Sequence, residues 1–237
     1  MTSRVIALVP AFNEEAIIEA TVDGLIGAIE GVDVVVVDDG SRDRTAIKAT
    51  AAGATVLTIS KNLGKGGAVN EAFRRLNPGD EDILLFIDAD LGATSNEASK
   101  LIVPLIEGRA DMVIAAFGKP KKKGGFGLVK GLARWGIKRL GGLEVKSPLS
   151  GQRALKAGLW RAVGGLAPGY GMETGLTIDA LRRGFKVVEV DTAMSHNETG
   201  RNVAGFRHRG RQFAAVVMVL AKRMIGLRRA SGTTNRK

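Results

Sequence analysis

Apolar residues in the first half of the chain fall into short, near-continuous runs. Between the runs they recur every three or four positions. The runs "RVIALV" (4–9), "VDVVVV" (32–37), "ATVLTIS" (54–60), "ILLFID" (83–88) and "ADMVIAAF" (110–117) predict five strands. Glu14–Ile29 predicts a helix, with Ile17, Ile18, Val22, Leu25 and Ile29 on one face. Asp43 predicts the N-cap of a second helix that ends near Gly53. "NLGKGGAVNEAFRRL" (62–76) reads as a glycine loop running into a third helix, closed by the turn "NPGD". A fourth helix is predicted over 94–108, with a capping box from Thr94 to Glu97. Near-continuous strands alternating with helices predict an α/β fold: a Rossmann-like, mostly parallel central sheet with helices on both faces.

After Phe117 the rhythm changes. "GKPKKKGGFG" (118–127) predicts a loop, Leu128–Leu140 a helix and "PLSGQRALK" (148–156) a short strand and turn. "GMETGLTIDALRRG" (171–184) predicts a helix, "FKVVEVD" (185–191) a strand, and about 205–226 a final helix. No repeat or long linker divides the 237 residues, so the second half is expected to extend the same sheet within one domain, 1–237.

Composition changes this picture little, whereas charge changes it more. The absence of cysteine removes disulfides and thiolate metal sites. The N-terminal apolar run is too short for a signal peptide, and the longest late run, Phe213–Ala221, is far below the roughly 20 residues of a membrane span. A cytoplasmic protein is expected, soluble or peripheral at the inner membrane face. Of the 35 Lys and Arg, eight lie in 119–139 and ten in 201–237, and neither segment has an Asp or Glu; the other 17 face all 24 acidic residues. Basic character confined to two segments, with few aromatics for base stacking, argues against a nucleic-acid partner. It suits a small anionic acceptor or an anionic membrane surface.

The chemistry concentrates after the strands. "DILLFIDADLG" (82–92) ends an apolar run on Asp88 and Asp90, separated by Ala89. If the backbone stays extended there, both carboxylates face one side. At roughly 5 Å and an effective dielectric of about 20 they repel by about 3 kcal/mol. A shared proton, basic neighbours, full hydration or a bound cation would each offset that. Three further polar clusters follow strands one to three: "PAFNEE", "DDGSRDRT" and "NLGKGG". In an open α/β sheet all four reach the carboxyl edge, where ligands bind. "GKGG" lacks the spacing of a P-loop, and no G-x-G-x-x-G follows the first strand.

Together "VPAFNEE", "VVVVDDGSRDRT", "NLGKGGAVNEAF" and "FIDADLG" resemble the nucleotide-sugar half of GT-A-fold glycosyltransferases of the family 2 type. The resemblance implies that Pro10, Ala11, Phe12, Asn13 and Glu14 line a nucleoside pocket with Asp39, and that Lys65 approaches the diphosphate. It places Asp88 and Ala89 at the ribose or sugar, and has Asp90 hold Mg²⁺ or Mn²⁺ between the phosphates. Carboxylate and phosphate oxygens suit either ion, which would also neutralise the leaving group. Residues 1–117 would bind the donor, 118–204 the acceptor, and 205–237 would form a terminal helix and basic tail.

"APGYGMETGLTIDALRRGF", "AMSHNETGRN" and "FRHRGRQFAAVVMVLAKR" are similar to glucosyl-3-phosphoglycerate synthases, which are retaining enzymes using UDP-glucose and Mg²⁺. That similarity implies Glu173 beside the sugar, as the catalytic partner of Asp88, and His196 as a second metal ligand. It departs at Gly127 and Val129, where those enzymes carry an arginine and a threonine for the acceptor phosphate. "SGQRA" (150–154) instead resembles polyprenyl-phosphate sugar transferases, so Gln152, Arg153 and Thr174 are candidate acceptor contacts. A surface ion pair is the alternative role for Arg153. His208 is expected at the surface.

A UDP-hexose donor and a small phosphorylated or carboxylated acceptor such as 3-phosphoglycerate form the leading expectation. Transfer to a polyprenyl phosphate at the membrane is the second. The third is a sugar-phosphate nucleotidyltransferase, which Glu14 and Glu15 oppose by repelling a triphosphate. In the last helix Phe213, Val216, Val217, Leu220 and Met224 recur at helical spacing. They are expected to pack on the sheet or on a second subunit rather than on a bilayer.

Overall fold

The computed structural model describes residues 3–117, 127–166, 171–195 and 212–225. Seven strands form one sheet: β1 (Val5–Ala11), β2 (Asp33–Asp38), β3 (Thr55–Thr58), β4 (Ile83–Phe86), β5 (Met112–Phe117), β6 (Arg153–Lys156) and β7 (Val187–Thr192). Their order is β3-β2-β1-β4-β6-β5-β7. β6 alone runs antiparallel, between β4 and β5; every other pairing is parallel. The expected α/β fold is therefore present, and the second half extends the first half's sheet.

The helices are α1 (Ile18–Ala28), α2 (Thr45–Ala51), α3 (Gly64–Leu76), α4 (Ser99–Ile106), α5 (Leu128–Gly141), α6 (Ala157–Val163), α7 (Met172–Arg182) and α8 (212–225). Side chains alternating along the strands feed two cores. On one face Ala7, Val9, Val34, Val36 and Leu85 pack with Ile18, Val22 and Leu25 of α1 and Leu101 of α4. On the other Ile6, Leu8, Leu84, Phe86 and Ile114 pack with Val69 of α3, Trp160 of α6 and Leu176 of α7. Burial on both faces is why these strands read as continuous apolar runs.

Several expected boundaries move. α1 starts at Ile18 rather than Glu14, because Glu14 O accepts the N–H groups of Ile17 and Ile18 and closes a turn first. The capping box at Thr94 does not form. Thr94 Oγ1 donates to Leu91 O, Glu97 accepts from Ala193 N–H, and residues Gly92–Ala98 make a 3₁₀ helix before α4. The N-cap of α2 is Arg44 rather than Asp43, whose carboxylate accepts the Thr45 N–H at 3.0 Å from one residue further back. α6 was not expected from the pattern.

The last helix packs less fully than its spacing predicts. Val216, Val219 and Leu220 are buried, and Val216 and Leu220 join Ala133 and Ile137 of α5 and Ile178 of α7 in a third core. Phe213, Val217 and Met224 are exposed instead. A helix laid on two others buries one narrow stripe, and these three side chains fall outside it.

Candidate active site

β1 brings Pro10 and Ala11 to the carboxyl edge of the sheet, in register with Val37 and Asp38 of β2. The chain then turns through exposed Phe12 and through Asn13, whose φ of 58° is the left-handed region that Asn tolerates. This turn is laced to the loop after β2. Asn13 N–H donates to Ser41 Oγ, and Asn13 Oδ1 accepts from Arg42 N–H, both at 2.9 Å. Glu14 N–H donates to Thr45 Oγ1 at 2.8 Å, and Glu15 N–H to Asp43 Oδ2 at 3.2 Å. Backbone amides that the end of a strand leaves unpaired are thus satisfied by the next loop.

Asp39 joins the second loop to the third. One of its carboxylate oxygens accepts the Leu63 N–H and the other the Gly64 N–H, each at 2.7 Å. These are amides at the start of α3, where a carboxylate meets both orphan donors and the helix dipole. Gly64 has a φ of +71°, which favours glycine. Lys65 follows in the first turn, and its ammonium pairs with Asp88 Oδ1. Burial would push the Lys65 ammonium down. Asp88 and then Glu173 outweigh burial and hold it above its ordinary value.

The backbone does not stay extended from Asp88 to Asp90. β4 ends at Phe86, and Ala89 and Asp90 lie in a turn. Asp88 is held by Lys65 and, at its other oxygen, by Gln152 Nε2 at 2.6 Å. A basic neighbour therefore offsets the charge of Asp88. Ala89 is buried beneath the turn, and its carbonyl accepts from Thr21 Oγ1 of α1 at 2.8 Å. The same hydroxyl accepts the Gly92 N–H at 2.9 Å. Glu14 faces this turn: burial raises its carboxyl, with Asp90, then Asp43 and Asp88, adding to the rise. Oxygen ligands and accumulated negative charge fit a hard divalent cation. Among the described residues no three His, Asp or Glu side chains come close enough to hold one. His196, expected as a ligand, lies outside the described residues, as does His208.

From Gln152 the connection continues into the acceptor half. Arg153 is almost wholly buried, so it does not form the surface ion pair given as its alternative. Its Nε donates to Ser150 O at 2.8 Å and a terminal nitrogen to Thr177 Oγ1 at 2.7 Å. Thr177 Oγ1 donates to Glu173 O at 2.8 Å. Burial pushes the guanidinium down to about 10 while Glu173 and Glu189 pull the other way. Arg153, Lys65, Gly151 and Glu173 line a cavity of about 20 Å³ closed by apolar Phe86 and Leu176, room for about one water. Thr174 is fully buried and its hydroxyl has no hydrogen-bond partner among the described residues. Neither Arg153 nor Thr174 is presented to solvent where an acceptor would arrive.

Of the expected site residues, Lys65, Asp88 and Gln152 are in direct contact, while Asn13 is tied to the loop after β2 and Asp39 to the start of α3. Thr21 and Thr177 were not anticipated. Each lies on a helix at a position that reads as ordinary amphipathic patterning, and only its distant partner gives it a role.

The model of the family described as Glycosyl transferase family 2 matches residues 6–146. A glucosyl-3-phosphoglycerate synthase from Mycobacterium tuberculosis is 32% identical over 206 residues, covering 76% of this chain. The chain spans 62% of that relative's length. An undecaprenyl-phosphate mannosyltransferase from Micrococcus luteus is 30% identical, covering 84% of this chain and 86% of its own. A crystal structure of the Mycobacterium tuberculosis synthase with Mn²⁺, UDP-glucose and phosphoglyceric acid superposes with a TM-score of 0.77 at 30% identity, over 93% of this chain and 79% of that one. Another was solved with Mg²⁺ and UDP. The fold is the GT-A fold, and the family whose model matches is one of sugar transferases.

Proposed function

The chain belongs to glycosyl transferase family 2, and on that premise we propose that it moves a hexose, glucose from UDP-glucose, to a small phosphorylated acceptor such as 3-phosphoglycerate. The observation that carries the reading is the Lys65–Asp88 pair at the meeting of all four loops, beside Asp90 and Glu14. The turn at 10–14 and Asp39 shape the nucleoside pocket. Lys65, held positive, is placed to exchange part of its attraction to Asp88 for the donor diphosphate. Asp90 and His196 would hold Mg²⁺ or Mn²⁺, which when bound neutralises charge developing on the leaving phosphates. Asp88, fixed by Gln152, faces the sugar. Glu173, tethered through Thr177 and Arg153, stands on the acceptor side.

A second reading keeps this donor site and transfers to a polyprenyl phosphate. It is favoured by the near-equal coverage of both chains in the match to the undecaprenyl-phosphate mannosyltransferase. Donor hydrolysis across UDP-, GDP- and ADP-sugars with Mg²⁺ or Mn²⁺, followed by transfer to 3-phosphoglycerate or to polyprenyl phosphate, tests both. Turnover of UDP-glucose with 3-phosphoglycerate, without detergent, is expected. Preference for a GDP- or ADP-sugar overturns the donor assignment, and transfer only to the lipid selects the second reading.

A further inference from the structure

The described parts of the two basic segments, α5 and α8, meet in the fold. α5 holds Lys130, Arg134, Lys138 and Arg139, α8 holds Lys222 and Arg223, and neither helix contains an Asp or Glu. The helices pack through Gly136, where an added Cβ would run into the Leu220 side chain. Among the described residues, two of these cations have acidic partners: Glu144 pairs with Lys138, and Asp179 of α7 with Arg223.

The same two helices carry seven of the thirteen exposed large apolar side chains among the described residues. Leu128 and Trp135 project from α5. Met218 and Ile225 project from the side of α8 opposite buried Val216 and Leu220, and Val217, Met224 and Phe213 lie exposed along its edge. Apart from Lys222, the exposed side of α8 is apolar throughout. Monomeric proteins rarely leave an apolar helix side of this kind without a partner.

Composition limits what covers it. The segments 118–126, 196–211 and 226–237 together contribute only Phe126, Val203, Phe206 and Leu227 as large apolar residues, against twelve Lys and Arg. They add positive charge rather than an apolar cover. A second copy meeting the first face to face would oppose cations to cations, with like charges repelling across the contact. A bilayer surface with anionic headgroups accepts both the apolar stripe and the cations around it.

We infer that α5 and α8 form a docking face for an anionic phospholipid surface. α8 also packs on α7, with Val216 against Gly171 and Arg223 beside Gly175. The docked face therefore adjoins the helix that carries Glu173, and the acceptor half would lie against the headgroups. This attachment goes beyond the sugar-transfer reading and does not depend on it.

Trp135 gives a local readout, because the other tryptophan, Trp160, is buried in the core. The full chain, mixed with phosphatidylcholine vesicles containing phosphatidylglycerol, should co-sediment, lose binding as NaCl is added and show blue-shifted tryptophan emission. Vesicles of phosphatidylcholine alone should bind it at least tenfold more weakly. The double substitution Met218→Asp, Ile225→Asp places charges on exposed positions, so it should fold. It should lower anionic-vesicle partitioning at least tenfold while leaving thermal stabilisation by UDP and Mn²⁺ unchanged. Trp135→Phe should abolish the emission shift but not sedimentation. Absence of anionic-vesicle binding, or binding that the double substitution leaves intact, overturns the inference. So does a dimer in sedimentation velocity that the same substitution makes monomeric, since the face then belongs to a second copy. Failure of wild-type protein to respond to UDP and Mn²⁺ would count against the donor site alone.

Discussion

Gln152 Nε2 donates a 2.6 Å hydrogen bond to Asp88 Oδ2, joining residues 64 apart in sequence. The antiparallel insertion of β6 beside β4 makes this contact. Arg153 pairs with Phe86, so Gln152 arrives opposite the end of the strand that leads to Asp88. With Lys65 on the other oxygen, Asp88 is fixed by both halves of the domain before any donor binds. This pairing offsets the negative charge that Asp88 would otherwise present to Asp90.

The pairing can be disturbed from beneath. A Cβ on Gly151 would run into Lys65 Nζ and come within 3.2 Å of Asp88 Oδ2. The obstructed atom is the far end of a flexible side chain, so Gly151→Ala should cost less than about 1 kcal/mol in stability. It should nevertheless displace the ammonium and lower turnover of UDP-glucose at least tenfold. Gln152→Leu, which removes a hydrogen bond to a carboxylate, should cost about 1.5–3 kcal/mol. Chemical denaturation alongside donor hydrolysis checks both. Full activity in both variants would show that the clamp on Asp88 is dispensable.

Metal use should divide between Asp90 and His196. UDP at 100 times its Kd should stabilise the wild type by about 2.7 kcal/mol with Mn²⁺, and less after chelation. Asp90→Asn should reduce stabilisation to the chelated level and abolish transfer. His196→Ala should weaken it more mildly, because water can complete the ligand set. Thermal shifts with and without Mn²⁺ measure this. Activity that persists after exhaustive chelation would sink both assignments.

Asp39 should matter to the loop as much as to the nucleoside. Asp39→Asn sets an amide NH₂ against one of the two backbone N–H donors of Leu63 and Gly64, leaving a donor unmatched at a cost of about 1–3 kcal/mol. Hydrogen exchange at these two amides should accelerate, and affinity for UDP should fall more than affinity for uridine as Lys65 loses its support. Unchanged exchange at both amides would contradict the clasp.

Acid stability should depend on Asp82, which bridges the starts of β1 and β4. Burial pushes its carboxyl up, but the Arg4 side chain and the N–H groups of Gly79 and Arg4 outweigh burial and hold it below its ordinary value. A carboxyl depressed in the folded state contributes stability above its unfolded value, near 4, and loses it as pH falls through the folded value. Asp82→Asn should therefore lower stability at neutral pH by about 1–2 kcal/mol and flatten the acid limb. Urea denaturation across a pH series measures this, and parallel acid limbs for variant and wild type would refute it.

The sequence by itself determined the sheet and the donor edge. Strands buried on both faces must be apolar throughout, and helices between them must repeat near 3.6, so five strands and their order along the chain were legible in Val32–Val37 or Ile83–Ile87. The clusters at Asn13, Asp39, Lys65 and Asp88 were legible because parallel topology sends the end of every strand to one edge. The structure decided what depends on residues distant in sequence. A dipeptide cannot reveal that Gln152 reaches Asp88, that Arg153 is buried against Thr177, or that Thr21 pins Ala89. Those contacts follow from the antiparallel insertion of β6 and from the packing of α1 and α7. Periodicity in the last helix showed that it has an apolar side but not how wide a stripe its neighbours would cover. That width is set by the groove between α5 and α7, and it leaves Phe213, Val217 and Met224 outside.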